Sequence, residues 1–349
     1  MRQIRNIREF SALAKVSTAT ASRVFSNDPK VKDKTASRIR KLAEKYRFRP
    51  NAVSQSAFGA KTKSIGVLLC RLTTSYFADI AQGIQEYLLP KGYLPIIISL
   101  RSMDRDFVSL RRLFDHRVEG IIACLGEESF TGKEIGEIEH FELPVVTIDS
   151  DGSRRHPLFS GNVSSDERQC GILAADHLIR NGHRNIYYAA EGGRPLKKYS
   201  RLSACRDRLE EYGIGFDDSH YYAYGASRPK KRTGNLSISE WLRDKPRPLA
   251  CYAYNDNVAL MIYRAAAELG WKIPDDVSVI GTADLNIAAI MSPPLTTVRQ
   301  DGVETGRVAA EYILSIIRHG AKHRIAELPV ELVERKSVRK QKTEQKGGV

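Results

Sequence analysis

The stretch "VSTATASRVF", residues 16–25, consists mostly of small residues, with one arginine near its end. Such side chains fill little of a core, but they allow a helix to approach another surface closely. Ser17 can cap a helix here, because its hydroxyl can accept a hydrogen bond from a free amide two or three residues later. Helical spacing then turns Ala21, Val24 and Phe25 inward. The outer face consists of Thr18, Ala19, Ser22 and Arg23.

Two amphipathic segments flank this stretch. Residues Ile7–Ala14 and residues 34–46 each place apolar side chains on one helical face. In the second segment these are Ile39, Leu42, Ala43 and Tyr46. Two helices joined by a three-residue turn and supported by a third form a helix-turn-helix, which we predict for residues 1–48.

The positive charge of the chain is concentrated in this region. Residues 1–63 contain 16 Lys and Arg against 4 Asp and Glu, a net charge of +12, whereas the whole chain carries +14. A basic module on a nearly neutral body is typical of a protein that binds a polyanion. The alternative, a disordered basic arm, does not account for the regular apolar spacing.

Double-stranded DNA is the polyanion that this helix fits. Small side chains let the helix enter the major groove, where Arg23 can donate two parallel hydrogen bonds to a guanine. The hydroxyl groups along the helix can reach phosphates or bases, although each position could also be ordinary solvated surface. The candidate DNA-binding residues here are Ser17, Thr18, Ala19, Thr20, Ser22 and Arg23.

A second short helix is predicted within residues 49–63. Pro50 and Asn51 indicate its start and Gly59 its end. A helix of about eight residues is marginal alone in water, where ~12–15 are needed. It must therefore fold against another surface. Its apolar side chains suit the minor groove, whereas the alternative is a plain interdomain linker. The apolar residues are Val53, Ala57 and Phe58.

The remaining chain alternates between apolar runs and amphipathic helices. Two doubly wound parallel-sheet lobes with a ligand cleft between them are therefore predicted for residues 64–335. The polar, basic residues 336–349 are predicted to be a disordered tail. The runs are "SIGVLLC", "YLPIIISL", "GIIACL", "PVVTID", "NIYYAAE", "PLACYAYN" and "VSVIGTA"; the helices cover residues 76–89, 166–180, 200–212 and 257–269.

Several protein classes are disfavoured. No stretch approaches the ~18–20 apolar residues of a membrane span, and no apolar segment near the N-terminus resembles a signal peptide. The five cysteines are scattered without metal spacing, which predicts reduced thiols in a cytoplasmic protein with no metal or cofactor. Motifs of serine hydrolases, P-loop enzymes and zinc proteases are absent, which argues against an enzyme. Two alternative protein classes remain open: a solute-binding protein and a sugar-acting enzyme with the same core.

Seven segments carry a family resemblance: "NIREFSALAKVSTATASRVF", "RPNAVSQSAF", "SIGVLL", "DHLIRNGHRNI", "YNDNVALM", "IPDDVSVIG" and "PPLTTVRQ". Their order and spacing over residues 4–335 resemble the LacI/GalR family of bacterial transcription regulators. The resemblance implies a DNA-binding head, a hinge helix and a core like that of periplasmic sugar-binding proteins. We favour a repressor over an activator, although the sequence does not distinguish them. It also implies a homodimer on a pseudopalindromic operator and a small, sugar-like effector in the cleft.

The resemblance also implies roles for individual residues. Thr18, Ala19 and Arg23 match base-reading positions. An arginine and a carboxylate can together hold adjacent sugar hydroxyls, although each could instead be a structural ion pair or a helix cap. The positions that match the hinge helix are Asn51, Ala52, Val53 and Ala57, and those that match the effector cleft are Phe77, Asp166, Arg201 and Asp256.

Some positions depart from the family pattern. Lys15 replaces a usual glycine, Lys32 replaces a usual serine cap, and Ala57 stands where a leucine is usual. Because alanine is too short to wedge between base steps, we predict that Phe58 takes that role. The alternatives are an operator that is kinked less than usual and a Phe58 that packs on the surface of the core. Near the cleft, the segments 204–205 and 282–284 also differ from the family. The cluster of Lys197, Lys198 and Arg201 favours an anionic effector, such as a phosphorylated or acidic sugar.

Overall fold

The computed structural model describes residues 4, 6–25, 28–48, 61–70, 72–99, 108–125, 132–149, 159–191, 201–224, 237–320 and 324–341. The predicted hinge helix lies outside these ranges, and so does part of the loop before Arg201. The hinge and loop residues concerned are Asn51, Ala52, Val53, Ala57, Phe58, Lys197 and Lys198.

Three helices form the N-terminal head: α1 (Ile7–Ala14), α2 (Thr18–Phe25) and α3 (Asp33–Lys45). Their bounds agree with the prediction to within one residue. The head has its own core, in which Phe10 and Ile39 are fully buried. Phe48, which the sequence did not single out, stacks on Phe10 with ring centroids 4.4 Å apart. These contacts close the helix-turn-helix around α2.

The first lobe is built on a six-stranded parallel sheet. In spatial order its strands are β11 (Arg324–Leu328), β5 (Phe159–Ser165), β4 (Val145–Ile148), β3 (Ile121–Cys124), β1 (Ser64–Leu69) and β2 (Leu94–Ser99). Its helices are α4 (Ser75–Leu88), α5 (Val108–Asp115), α6 (Gly132–His140) and α12 (Gly302–His319).

The second lobe has a second six-stranded sheet, which is parallel except that β12 runs antiparallel to β10. In spatial order its strands are β12 (Glu331–Val333), β10 (Thr296–Arg299), β9 (Val277–Ala283), β8 (Leu249–Ala253), β6 (Ile186–Glu191) and β7 (Tyr221–Tyr224). Its helices are α7 (Glu167–Arg180), α8 (Arg201–Glu211), α9 (Ile238–Arg243), α10 (Asp256–Glu268) and α11 (Asn286–Ile290).

The described chain passes between the two sheets three times: after β5, after β10 and after β11. Helix α12 therefore returns to the first lobe and packs closely on α4. A Cβ atom at Gly83 would lie 1.9 Å from the carbonyl oxygen of Val303, so the helices approach at a distance that only glycine allows. The predicted architecture of two doubly wound lobes is confirmed. None of the described helices is long and apolar enough to cross a membrane.

The prediction of a disordered tail was wrong for residues 336–341. The backbone amide of Val279 donates to the carbonyl oxygen of Ser337 at 2.8 Å, and that of Gln341 donates to Asn181 at 2.8 Å. Ser337 is fully buried, with its hydroxyl donating to the carbonyl oxygen of Val279. The polar composition was misleading because this segment is held by hydrogen bonds to the second lobe and by Val338, which packs on the second-lobe core.

Candidate DNA-binding and effector sites

The N-terminus of α2 is closed by the predicted cap. The hydroxyl of Ser17 accepts a hydrogen bond from the amide of Thr20 at 3.1 Å, and the two hydroxyl oxygens lie 2.9 Å apart. These groups therefore hold the helix end in addition to any contact with DNA. The cap fixes where the outer face of α2 begins.

The outer face of α2 has the composition that the sequence indicated. Thr18, Ala19 and Arg23 are exposed, whereas Ala21 and Val24 are buried against the head core. The Arg23 side chain is 58% exposed, and its Nε lies 3.8 Å from a carboxylate oxygen of Asp28. Small side chains and one guanidinium thus face outward on a basic head. The half-buried residues of this set are Thr20 and Ser22.

Arg201 is the centre of the candidate effector site. Its guanidinium is 5% exposed and donates two parallel hydrogen bonds to Glu167, from Nε at 2.6 Å and from Nη2 at 2.7 Å. It also donates to the carbonyl oxygen of Tyr254 and lies 4.4 Å from the centroid of that ring. Burial alone would lower the pKa of Arg201, but the charge of Glu167 raises it well above the ordinary value. Arg201 is therefore fixed in its charged form.

A second carboxylate, Asp149, lies in the same region and was not predicted. Tyr76 donates to its Oδ2 from the phenol at 2.8 Å, and the Ser165 amide lies 3.4 Å from Oδ1. Burial and the charge of Glu167 raise the pKa of Asp149 to about 6. The backbone of Asp149 has a φ of 51°, a left-handed conformation that turns the chain sharply after β4. Such strain is common at ligand sites.

Two of the predicted effector residues have local structural roles. Asp166 caps α7, because its Oδ1 accepts a hydrogen bond from the Gln169 amide at 2.7 Å. Its own amide donates to the carbonyl oxygen of Leu328 at 2.9 Å, which joins the first and third crossovers. Phe77 is half-buried against the first-lobe core, with its ring edge-on to Tyr76 at 5.7 Å.

Asp256 lies at the start of α10 and is fully buried. Its Oδ1 accepts a hydrogen bond from the Thr297 hydroxyl at 2.6 Å, and its Oδ2 accepts one from the Leu285 amide at 2.7 Å. Burial raises the pKa of Asp256 to about 7. Within the described residues no hydrogen bond joins Asp256 to Arg201, so the carboxylate that pairs with this arginine is Glu167. Asp256 instead fixes the loop after β9.

These groups are brought together by the topology. Asp149, Glu167, Tyr254 and Gln300 all follow parallel strands at their carboxyl ends, where open α/β sheets bind ligands. Gln300 donates from Nε2 to Glu167 at 3.0 Å, which ties the second crossover to the first. Of the three cations that favoured an anionic effector, Arg201 is the one described, and Glu167 balances its charge. The described residues contain no group of acidic, histidine or cysteine side chains that could hold a metal ion.

Comparison with known proteins identifies the family of both parts of the chain. Residues 6–51 match the model described as "Bacterial regulatory proteins, lacI family", and residues 175–338 match a "Periplasmic binding protein-like domain". The HTH-type transcriptional repressor PurR of Aliivibrio fischeri (strain MJ11) is 30% identical over 353 residues, covering 95% of this chain and 98% of that protein. The chain belongs to the LacI/GalR family of bacterial transcription regulators. The family resemblance inferred from the seven segments is confirmed.

Solved structures of LacI-family proteins have the same fold as this chain. The lac repressor dimer bound to operator and the anti-inducer ONPF has a TM-score of 0.77 at 22% identity, covering 97% of this chain and 100% of that one. A LacI family transcriptional regulator from Enterococcus faecium with bound ribose has a TM-score of 0.67 at 26% identity, covering 80% and 100%. This LacI-family chain is thus a DNA-binding transcription regulator with a two-lobed core.

The sequence contained a signal for the missed site residues. Asp149 closes the apolar run "PVVTID", so an acidic residue at the carboxyl end of a buried strand was visible. Glu167 stands beside Asp166, in the first turn of a correctly predicted helix. Whether Asp166 or Glu167 pairs with Arg201 depends on how α7 is rotated and on where α8 begins. The local sequence determines neither of these two features.

Proposed function

We propose that the chain is a homodimeric repressor whose affinity for a pseudopalindromic operator is controlled by a small effector bound between the lobes. The observation that carries the proposal is α2, a helix with a small, exposed outer face and one guanidinium in a basic N-terminal region, residues 1–63, of net charge +12. Relatives named as repressors, and a similar structure described as a dimer bound to operator, support it.

The proposed effector is a sugar or sugar derivative. Arg201 and Glu167 offer donors and acceptors side by side, and Asp149 adds an acceptor from the first lobe. This combination suits adjacent hydroxyl groups, each of which can donate and accept a hydrogen bond. Because the charge of Arg201 is already balanced, we favour a neutral polyhydroxylated molecule over a phosphorylated one. The ribose-bound relative supports the same class.

The alternatives differ in what they would do with such a ligand. A sugar-acting enzyme would turn it over, and a solute-binding protein would bind it without any effect on DNA. The proposal places the protein on DNA in the cytoplasm and assigns it no catalytic step. Incubating the chain with each ligand and measuring product distinguishes the enzyme alternative directly.

The test is selection of bound duplexes from a random pool by the full chain, followed by fluorescence anisotropy on the selected sequence. The complex with the selected duplex is then titrated with a panel of candidate effectors, which contains ribose, hexoses, disaccharides, their phosphates and nucleosides. We expect a two-fold-symmetric site and a change in its affinity with one neutral member. Failure to enrich any sequence would overturn the repressor proposal, and a response to phosphorylated sugars alone would overturn the neutral effector.

A further inference from the structure

Lys15 occupies a backbone position that suits glycine. It closes α1 with φ 52° and ψ 50°, in the left-handed region, and its amide donates to the carbonyl oxygen of Ala12 at 3.2 Å. A residue with a Cβ atom is disfavoured there relative to glycine. The side chain is exposed. The local fold therefore gains nothing from lysine at this position.

Lys32 occupies a second position that local structure disfavours. It is the N-cap residue of α3, with φ −58° and ψ 134°, and its side chain makes no capping hydrogen bond. An ammonium group has no acceptor for the free amides of the first turn, whereas serine, threonine or aspartate would supply one. Its positive charge also lies at the positive end of the helix dipole. A serine here would stabilise α3.

Neither ammonium group has a direct partner within the described head, although Asp33 in the first turn of α3 offsets the charge of Lys32 at the helix N-terminus. Among the described residues, neither Lys15 nor Lys32 forms an ion pair, a side-chain hydrogen bond or a contact with an aromatic ring, and both are exposed. Two unfavourable lysines without an internal partner indicate an external one.

The two lysines bracket the helix that faces DNA. Lys15 precedes α2 in the turn from α1, and Lys32 follows α2 at the start of α3. Helix α2 has eight residues, which is about 12 Å at 1.5 Å per residue. The major groove is also about 12 Å wide. A helix that lies in the groove has sugar-phosphate backbone on both sides, so basic side chains in the segments that flank α2 are candidates for contacts with phosphates.

We propose that Lys15 and Lys32 bind DNA phosphates on either side of the recognition helix and position it in the groove, at the expense of head stability. The inference rests on the proposed DNA-binding function of the head. Phosphate contacts set affinity and register but do not read sequence. Each lysine should therefore strengthen binding to operator and to random duplexes alike.

The test uses full-length Lys15→Gly and Lys32→Ser variants. Each should weaken binding about three- to tenfold on both duplexes near 0.1 M salt, and lower the slope of log Kd against log salt by about one unit per head. Each should also slow hydrogen exchange of the head amides about fivefold, because the local backbone is relieved. Weaker binding together with greater stability is the expected combination.

Three further variants isolate the charge. Lys15→Arg should keep wild-type affinity, whereas Lys15→Asn, which tolerates the left-handed region without glycine flexibility, should bind as weakly as Lys15→Gly. Lys41→Ala removes one positive charge from an exposed position within α3 and measures the effect of screened charge alone. The inference is overturned if Lys15→Gly and Lys32→Ser lose no more affinity than Lys41→Ala. A wild-type chain that enriches no duplex overturns the repressor proposal and this inference together.

Discussion

Arg201 and Glu167 are joined by two parallel hydrogen bonds of 2.6 and 2.7 Å, and Gln300 donates to the same carboxylate at 3.0 Å. This pair links the start of α8 to the start of α7, and through Gln300 to the second crossover between the lobes. A ligand that engages Arg201 must therefore share or displace Glu167. Because Gln300 joins this carboxylate to the second crossover, we expect an effector at Arg201 to act on the connection between the lobes.

Replacing Arg201 should separate DNA binding from effector response. We expect Arg201→Ala to bind operator but not respond to effector, and to lose about 2–3 kcal/mol of unfolding free energy, because it leaves the Glu167 carboxylate unpaired. Arg201→Lys should also fail to respond, since an ammonium cannot form the two parallel bonds. Arg264→Ala, which breaks an exposed ion pair with Glu268, is the control. A normal response by Arg201→Ala in anisotropy titrations would contradict the assignment.

Asp256 should act through its loop contacts. Asp256→Ala leaves the Leu285 amide and the Thr297 hydroxyl without their acceptor, so we expect lost stability and lost effector response with operator binding retained. In Asp256→Asn the amide oxygen still accepts from Leu285. The native pKa of Asp256 is about 7, above the unfolded value, so ionisation destabilises the wild type as pH rises from about 4 to 7. Urea unfolding should show the Asn variant gaining relative stability over that range, and a relative loss would disprove the raised pKa.

Arg23 should contribute to the sequence specificity of DNA binding. We expect Arg23→Ala to weaken operator binding by about 1–3 kcal/mol while binding to random duplexes stays nearly unchanged. Binding by the wild type should fall steeply with salt, because residues 1–63 carry a net charge of +12. Equal losses on operator and random DNA, or a flat salt response, would count against docking of α2 in the major groove.

Phe58, outside the described residues, remains the predicted minor-groove wedge. We expect Phe58→Ala to weaken operator binding and reduce DNA bending, measured by the mobility of circularly permuted fragments, because alanine cannot unstack a base step. Thermal stability of the core should not change. Ala57→Leu should partly restore both properties in that variant. Unchanged affinity and bending in Phe58→Ala would show that another residue is the wedge.

His183 should make the attachment of the C-terminal segment sensitive to acid. Its Nε2 lies 3.0 Å from the carbonyl oxygen of Arg339, and burial lowers its pKa to about 4. A depressed histidine pKa contributes stability that is present above the unfolded value of about 6.5 and is lost as pH falls towards 4. The wild type should therefore lose about 3 kcal/mol more than His183→Gln between pH 6.5 and 4. Parallel urea-unfolding profiles for the two proteins would refute this.

The head was predictable because its signals are local. The Ser17 cap and the apolar spacing of α1 to α3 lie within a few residues of the bonds they specify. Phe48 was missed because it follows the last helical repeat and joins the core through ring contacts with Phe10 and Phe25, which are distant in sequence.

The core was predictable where strands are apolar runs and less so elsewhere. β5, with the sequence "FSGNVSS", and β10, with "TTVR", lack such runs, although both pair on two sides. β11 belongs to the first sheet despite its late position, and that pairing is specified by tertiary contacts. The same limit applies to the effector site, where Glu167, Asp149 and Gln300 meet only after the chain has crossed between lobes.

The three crossovers also set an order of events during synthesis. Helix α4 and strand β5 leave the ribosome early, but α12, which packs on α4, and β11, which pairs with β5, follow only after the second-lobe strands up to β10. The nascent first lobe therefore exposes an uncovered helix face and an unpaired strand edge until residue 328 has been made. The head has its three helices and its core within the first 48 residues. Chains interrupted within the second lobe would thus carry a basic head with its own core beside a first lobe that is still incomplete.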